Sequence, residues 1–172
     1  MLFNSVHFFI FFPVVVALYF CSPERLRRGL LLLAGCYFYM AFVPAYILVL
    51  FFIIGLDYVA AFAIDSASGQ RRKLFLAVSL TANLCFLGIF KYYNFFNDNL
   101  KALAEFWSIS YDSPELGILL PLGLSFHTFQ SMAYTIEVYR GRFKPERNLV
   151  TYALYVLFFP QLVAGPIERP QH

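Results

Sequence analysis

From Gly29 to Ile64 the chain reads GLLLLAGCYFYMAFVPAYILVLFFIIGLDYVAAFAI, and these residues hold one charge, Asp57. As a single helix the stretch would be about 54 Å long at 1.5 Å per residue. The hydrocarbon core of a bilayer is about 30 Å thick and takes roughly 20 helical residues per crossing. The stretch is therefore too long for one crossing and too apolar for a loop. Pro44 sits where a break is needed, because proline removes a backbone donor and clashes with the preceding turn. The reading is two spans, at 29–42 and 45–64.

The flanking sequence repeats the pattern. Segments 8–21, 74–90 and 149–165 contain no Asp, Glu, Lys or Arg. Further spans are expected at 6–21 (with Pro13 inside), 74–90 and 117–139. The last apolar run, 149–159, precedes Pro160 and either crosses as far as about 165 or re-enters. Residues 91–116 are the most polar, and Leu100, Leu103, Ala104, Phe106 and Trp107 suit an interfacial helix there. Of the 172 residues, 60% are hydrophobic and 13% charged, against about 45–50% and 25% in soluble domains. These values exclude disorder and place the chain as an all-α, polytopic transmembrane protein of five to six spans. Its first partner is the lipid bilayer, and nucleic acid is not expected as one.

The cysteines, Cys21, Cys36 and Cys85, lack metal-site or disulfide spacing, and no metal site is expected. The N-terminus does not read as a cleaved signal: no Lys or Arg precedes the apolar run, and bulky Phe20 stands before Cys21. Ten of the 13 basic residues lie in the loops 22–28, 65–73 and 140–148, which alternate with the spans. The positive-inside rule puts these loops in the cytoplasm and the N-terminus outside.

Polar groups inside the spans are few. Asp57 is an intramembrane acid, by default paired or functional. On 117–139, His127, Gln130, Ser131, Tyr134 and Glu137 fall in one stripe at 100° per residue, opposite Phe129, Met132, Ala133 and Ile136. Such a stripe faces a cavity or other protein. It is either the wall of a substrate tunnel or a hydrogen-bonded seam between helices. Between Phe158 and Ile167, Pro160 and Gly165-Pro166 bracket a short apolar piece beside Gln161. A helix ending at 158–161, followed by a non-helical stretch, is expected there.

Several strings resemble the membrane-bound O-acyltransferase family, in particular its bacterial alginate O-acetyltransferase branch. They are Leu120-Pro121-Leu122-Gly123-Leu124-Ser125-Phe126-His127-Thr128-Phe129-Gln130, then Tyr139-Arg140-Gly141, then Phe158 to Ile167. Met1 to Ser5, Asp57-Tyr58 and Lys91-Tyr92-Tyr93-Asn94-Phe95-Phe96 also fit. The resemblance implies a helical ring around a tunnel through the membrane, and transfer of an acyl group, here acetyl, onto hydroxyls of an extracytoplasmic polysaccharide. Family members are two to three times as long, with an essential histidine in a Trp-His-Gly-like context. No such string occurs here, and His127 stands where relatives often carry another aromatic residue.

The resemblance therefore implies that residues 1–172 are the N-terminal part of one membrane-embedded domain. They would hold no catalytic residue and be inactive alone. His127, Gln130, Ser131, Tyr134, Glu137, Asp57 and Gln161 are tunnel-lining or structural candidates. No covalently bound cofactor is expected; the acyl donor is acetyl-CoA or an acyl carrier. Polysaccharide-modifying proteins are the expected partners, and the bacterial inner membrane the location. Two rival readings are a D-alanyl transferase to teichoic acid in the same family and half of a membrane transporter.

Overall fold

The computed structural model describes residues 5–41, 44–107 and 123–161. Among these residues all regular structure is helical: α1 Val6–Cys21, α2 Glu24–Met40, α3 Tyr46–Ser66, α4 Gly69–Phe106, α5 Leu124–Tyr139 and α6 Leu149–Leu157. The helix starts follow from local chemistry. The Ser5 side chain accepts a bond from the Phe8 N–H at 3.3 Å and caps α1. Asn148 caps α6, accepting from the Val150 and Thr151 N–H groups at 2.9 and 3.4 Å. Gly123, at φ 79°, leads into α5 in a left-handed conformation open to glycine at little cost.

Helix α3 sits at the centre, packed against α2, α4, α5 and α6, while α1 lies outside on α2. Leu50, Ile53, Ile54, Asp57, Ala61 and Ile64 of α3 are all buried, at helical spacing down one side. The α2–α6 contact is unusually close. A Cβ added to Gly35 would lie 2.3 Å from the Leu157 carbonyl oxygen, so the two backbones meet where only glycine leaves room.

The outer surface is apolar. Phe9, Phe20, Leu33, Leu48, Val59, Phe95 and Phe106 are each more than 60% exposed. A belt of that kind belongs against lipid or further protein, not water. Helices α3 and α4 are long and apolar enough to cross a membrane, with mean hydropathy 2.6 and 1.8 over their best windows; α1 is apolar but shorter.

Several boundaries differ from the sequence reading. The fourth span and the separate interfacial helix are one continuous helix, α4, with 38 residues and a length of about 57 Å. Between Gly88 and Trp107 there is neither proline nor glycine, so a change from apolar to polar side chains does not break the backbone pattern. The loops 22–28 and 65–73 are also mostly helical. Arg25, Arg27 and Arg28 lie in the first turns of α2, and Arg71, Arg72 and Lys73 in those of α4. Charged residues at a helix end extend the helix into the interface rather than ending it. The span read as 29–42 is accordingly α2 at 24–40.

Helix α6 stops at Leu157, and a turn closed by the Gln161 N–H on the Phe158 carbonyl at 3.0 Å follows. A residue before proline disfavours helical backbone, which accounts for an end ahead of Pro160. The expected non-helical stretch through Gly165-Pro166, like residues 117–122 of the fifth span, lies outside the described residues.

Candidate polar site among helices three to six

Asp57 is fully buried on α3, at 0% exposure. Helix α4 brings Ser79 and Asn83 to it, four residues apart and so on one face. Helix α5 brings Ser131. Ser79 Oγ donates to Asp57 Oδ1 at 2.5 Å, and Asn83 Nδ2 donates to both carboxylate oxygens at 2.8 and 2.9 Å. Ser131 Oγ donates to Asp57 Oδ2. Because that bond uses the only hydroxyl proton of Ser131, the 2.7 Å bond between Ser131 and Tyr152 has the Tyr152 hydroxyl as donor. The result is a closed knot in which one carboxylate accepts from neutral donors on two helices, and Tyr152 adds α6 through Ser131. The Tyr152 ring lies 4.6 Å from that of Tyr134 and 5.8 Å from that of Tyr58.

One turn toward the start of α5 the situation reverses. His127 and Gln130 are both 0% exposed, and Tyr39 of α2 is 4% exposed. The His127 ring meets Tyr39 edge-on at 5.9 Å. Gln130 Nε2 donates to the Tyr155 carbonyl at 2.9 Å. The Tyr39 hydroxyl, Gln130 Oε1 and one ring nitrogen of His127 are buried without a hydrogen-bond partner, the other nitrogen facing the Val156 backbone. Three such atoms on neighbouring side chains are unusual. An unsatisfied buried polar group costs about 1–3 kcal/mol, and native structures hold few without water, ion or ligand to answer them.

The polar stripe of α5 therefore has two ends of different character. Ser131 and Tyr134 are spent on internal bonds, Tyr134 through its hydroxyl, which accepts the Glu146 N–H at 2.8 Å. His127 and Gln130 keep hydrogen-bonding capacity unused. On the opposite side, Phe129 is 45% exposed. Glu137 lies at the far end of the helix, 3.5 Å from both Arg140 and Arg142. Gln161 is half-buried in the turn after α6 and has no bond to the other candidates among the described residues.

Sequence reasoning missed Ser79, Asn83, Tyr152 and Tyr39. A signal existed for the first pair, since two polar residues four apart in the otherwise apolar run 74–90 share one face. Tyr152 and Tyr39 are two among 12 tyrosines and carried no such mark. Among the described residues, no group of three or more His, Cys, Asp or Glu gathers to hold a metal ion.

The same packing gathers the basic segments at one end of the bundle. Arg28, near the start of α2, donates to Thr151 Oγ1 at the start of α6 at 3.3 Å. Arg72, at the start of α4, donates to the Val138 carbonyl at the end of α5 at 3.1 Å and lies over the Tyr139 ring. The Tyr58 hydroxyl donates to the Arg147 carbonyl at 2.7 Å.

No family model matches the chain, and no solved structure matches it. Curated proteins do. The chain is 39% identical to a probable alginate O-acetylase of Azotobacter vinelandii, over 96% of this chain and 34% of that protein. It is 37% identical to a probable alginate O-acetylase of Pseudomonas aeruginosa, over 96% and 32%. A peptidoglycan O-acetyltransferase of Helicobacter pylori is 31% identical, over 97% and 37%. The chain thus spans about a third of the length of the curated relatives it matches. Their names bear out the O-acyltransferase resemblance.

Proposed function

From a chain homologous over nearly its whole length to a segment of bacterial polysaccharide O-acetylases, we propose one section of a membrane-bound enzyme. This enzyme moves an acetyl group onto hydroxyls of an extracytoplasmic polysaccharide such as alginate or peptidoglycan. The relatives' names favour that reading over a teichoic-acid D-alanyl transferase or a transporter half. The complete protein forms a helical ring around a passage through the inner membrane, and these residues supply part of its wall. The donor is a thioester, acetyl-CoA or an acyl carrier, and polysaccharide-modifying proteins act with it. In the reaction the acceptor oxygen attacks the thioester carbonyl. A base takes the hydroxyl proton, the tetrahedral intermediate collapses and the thiolate leaves with that proton. The base is the histidine that the family resemblance assigns to a Trp-His-Gly-like segment, which these residues do not contain.

Homology to the polysaccharide O-acetylases carries the reading, and the orphaned group on α2 and α5 supplies its candidate wall. His127, Gln130 and Tyr39 hold unused polar atoms beside the knot that fixes the neighbouring helices. We place this group against the passage, with Asp57, Ser79, Asn83, Ser131 and Tyr152 as its frame. Replacing Gln130 by leucine in the full-length protein removes one bond, to the Tyr155 carbonyl. Interhelical bonds of this kind average about 0.6 kcal/mol in membranes, too little to unfold the bundle. Acetyl transfer per folded molecule is expected to drop roughly tenfold, a loss of about 1.4 kcal/mol of transition-state stabilisation, with the yield of folded protein within twofold of the parent. A fall in yield with unchanged transfer per molecule would make Gln130 packing alone. In the same assay residues 1–172 by themselves should give only background transfer.

The gathering of the basic segments at one end supports a cytoplasmic location for that end, and so an extracytoplasmic N-terminus. A cysteine at Ser68 in the α3–α4 turn should resist membrane-impermeant thiol reagents in intact cells and react after permeabilisation. Efficient labelling in intact cells would reverse the orientation.

A further inference from the structure

At the basic end of the bundle, α2 and α6 begin side by side around a cavity of about 520 Å³ lined by Glu24, Arg25, Arg28, Gly29, Asn148 and Val150. Its two arginines are not used up by the fold. Arg25 is exposed and makes no hydrogen bond or ion pair among the described residues. Arg28 is exposed and, among the described residues, donates only to the Thr151 hydroxyl. Neither is in an ion pair with Glu24, although all three line the cavity. Arg27 differs. Its Nε donates to the Ser22 carbonyl at 3.1 Å and its guanidinium lies over the Tyr19 ring, so it is spent on the end of α1. The cavity is also open in shape. A Cβ built on Gly29 would meet nothing within 4 Å.

What surrounds the cavity is apolar. Leu26 is 62% exposed, Leu149 50% and Val150 39%, and Leu33 further along α2 is 71% exposed. The uncharged runs of α2 and α6 begin at Gly29 and Leu149, so the cavity lies at the level where hydrocarbon gives way to headgroups. It is cationic on its polar side and greasy on its membrane side.

We propose that this cavity is a binding site for an anionic phospholipid. Arg25 and Arg28 hold the phosphate, as guanidinium groups do through paired N–H donors. The acyl chains run down the exposed leucines of α2 and α6. Two arginines against one carboxylate leave a net positive site, which favours a lipid bearing net negative charge over a zwitterionic one. Glu24 is left to accept hydrogen bonds from hydroxyls of the headgroup, which points to a glycerol-type headgroup. The proposal rests on membrane embedding alone and holds whether or not the protein transfers acetyl groups.

The test is the thermal midpoint of the full-length protein in detergent, titrated with phosphatidylglycerol, phosphatidylcholine or inorganic phosphate. Phosphatidylglycerol should raise the midpoint saturably by a few degrees, because a ligand bound only to the folded state stabilises it. Phosphatidylcholine and phosphate should give less than half that shift. The paired substitution R25Q/R28Q should abolish the shift by removing charge. Gly29→Leu should abolish it by filling the cavity while leaving every charge in place. Lys73→Gln removes an exposed positive charge outside the cavity and should leave the shift intact. An equal response to phosphatidylcholine, or loss of the response in Lys73→Gln, would reduce the effect to general lipid or surface charge and overturn the site. A response to inorganic phosphate as large as to phosphatidylglycerol would make it a soluble-anion site. A full shift retained in R25Q/R28Q or in Gly29→Leu would equally overturn it.

Discussion

Replacing Gly35 by leucine should leave almost no folded protein, and replacing it by alanine should leave a protein clearly less stable than the parent. The reason lies in one contact. The first side-chain carbon at position 35 would stand 2.3 Å from the Leu157 carbonyl oxygen and 3.3 Å from its carbonyl carbon. Both atoms are backbone, so no rotamer change relieves the clash, and α6 must move off α2. Close approach of helix backbones at small residues is a main source of association in membranes, where lipid offers the same apolar surroundings as leucine. Forcing one extra methyl into a packed core costs about 1–3 kcal/mol, and leucine adds three more carbons in the same place.

Moving α6 also disturbs what it carries. Tyr152 would lose its bond to Ser131, and the Phe159 ring, 5.3 Å from Phe11 and 5.9 Å from Phe38, would lose its seat between α1 and α2. The measurement is the monodisperse fraction after detergent extraction, with the thermal midpoint of what remains. Gly55→Ala is the control, since a Cβ there meets nothing within 4 Å and alanine is the better helix former. Wild-type behaviour of Gly35→Leu would show that the α2–α6 contact is not a fixed part of the fold.

Breaks that proline imposes were legible. Pro44 separates α2 from α3, and α6 ends ahead of Pro160, because a missing donor and a steric clash act locally. The first helix, read at 6–21 from its run of apolar residues, is Val6–Cys21, with Pro13 inside it. Polarity was a poorer guide to helix ends. Asn94, Asn97, Asp98, Asn99, Lys101 and Glu105 suggested a new element, yet they continue α4, since solvation decides where a helix leaves the hydrocarbon but not where its backbone bonds stop.

The stripe on α5 could be drawn from 100° spacing, but its division into a bonded half and an orphaned half could not. That division depends on which groups other helices bring. Asp57 and Ser131 are 74 residues apart, and their pairing is a matter of tertiary packing. The partners of Asp57 were half-written, in the Ser79–Asn83 spacing and in Ser131 of the stripe, while the onward link to Tyr152 was hidden, since nothing local distinguishes Tyr152 from its neighbour Tyr155.

Asp57→Ala is the second substitution expected to have a large effect, and its pattern is more informative than its size. Removing the carboxylate leaves the hydroxyls of Ser79 and Ser131 and the amide of Asn83 facing a void, and takes the anchor from the chain that reaches Tyr152. Bonds to charged groups contribute about 1.5–3 kcal/mol each, and an abandoned buried donor costs about 1–3 kcal/mol. Serine hydroxyls can turn back to carbonyls of their own helix, which offsets part of the loss. A net destabilisation of about 3–5 kcal/mol follows, enough to unfold a marginal membrane domain.

Ser79→Ala removes one donor and leaves the carboxylate its other bonds, so about 1 kcal/mol is expected; Ser131→Ala also takes the acceptor from the Tyr152 hydroxyl, so about 2 kcal/mol is expected. Asp57→Asn keeps the shape but turns an N–H group toward donors, and it should fall between these and alanine. The decisive comparison is the pair Asp57→Ala and Ser131→Ala combined. Once the acceptor is gone, Ser131 has no bond to Asp57 left to lose. The double variant should therefore be less destabilised than the sum of the singles by 1 kcal/mol or more in reversible unfolding, as groups in direct contact behave. Strict additivity would mean that the two side chains do not share a bond in the folded protein. The knot would then not be what joins α3 to α5, and the frame placed around His127 and Gln130 would lose its foundation.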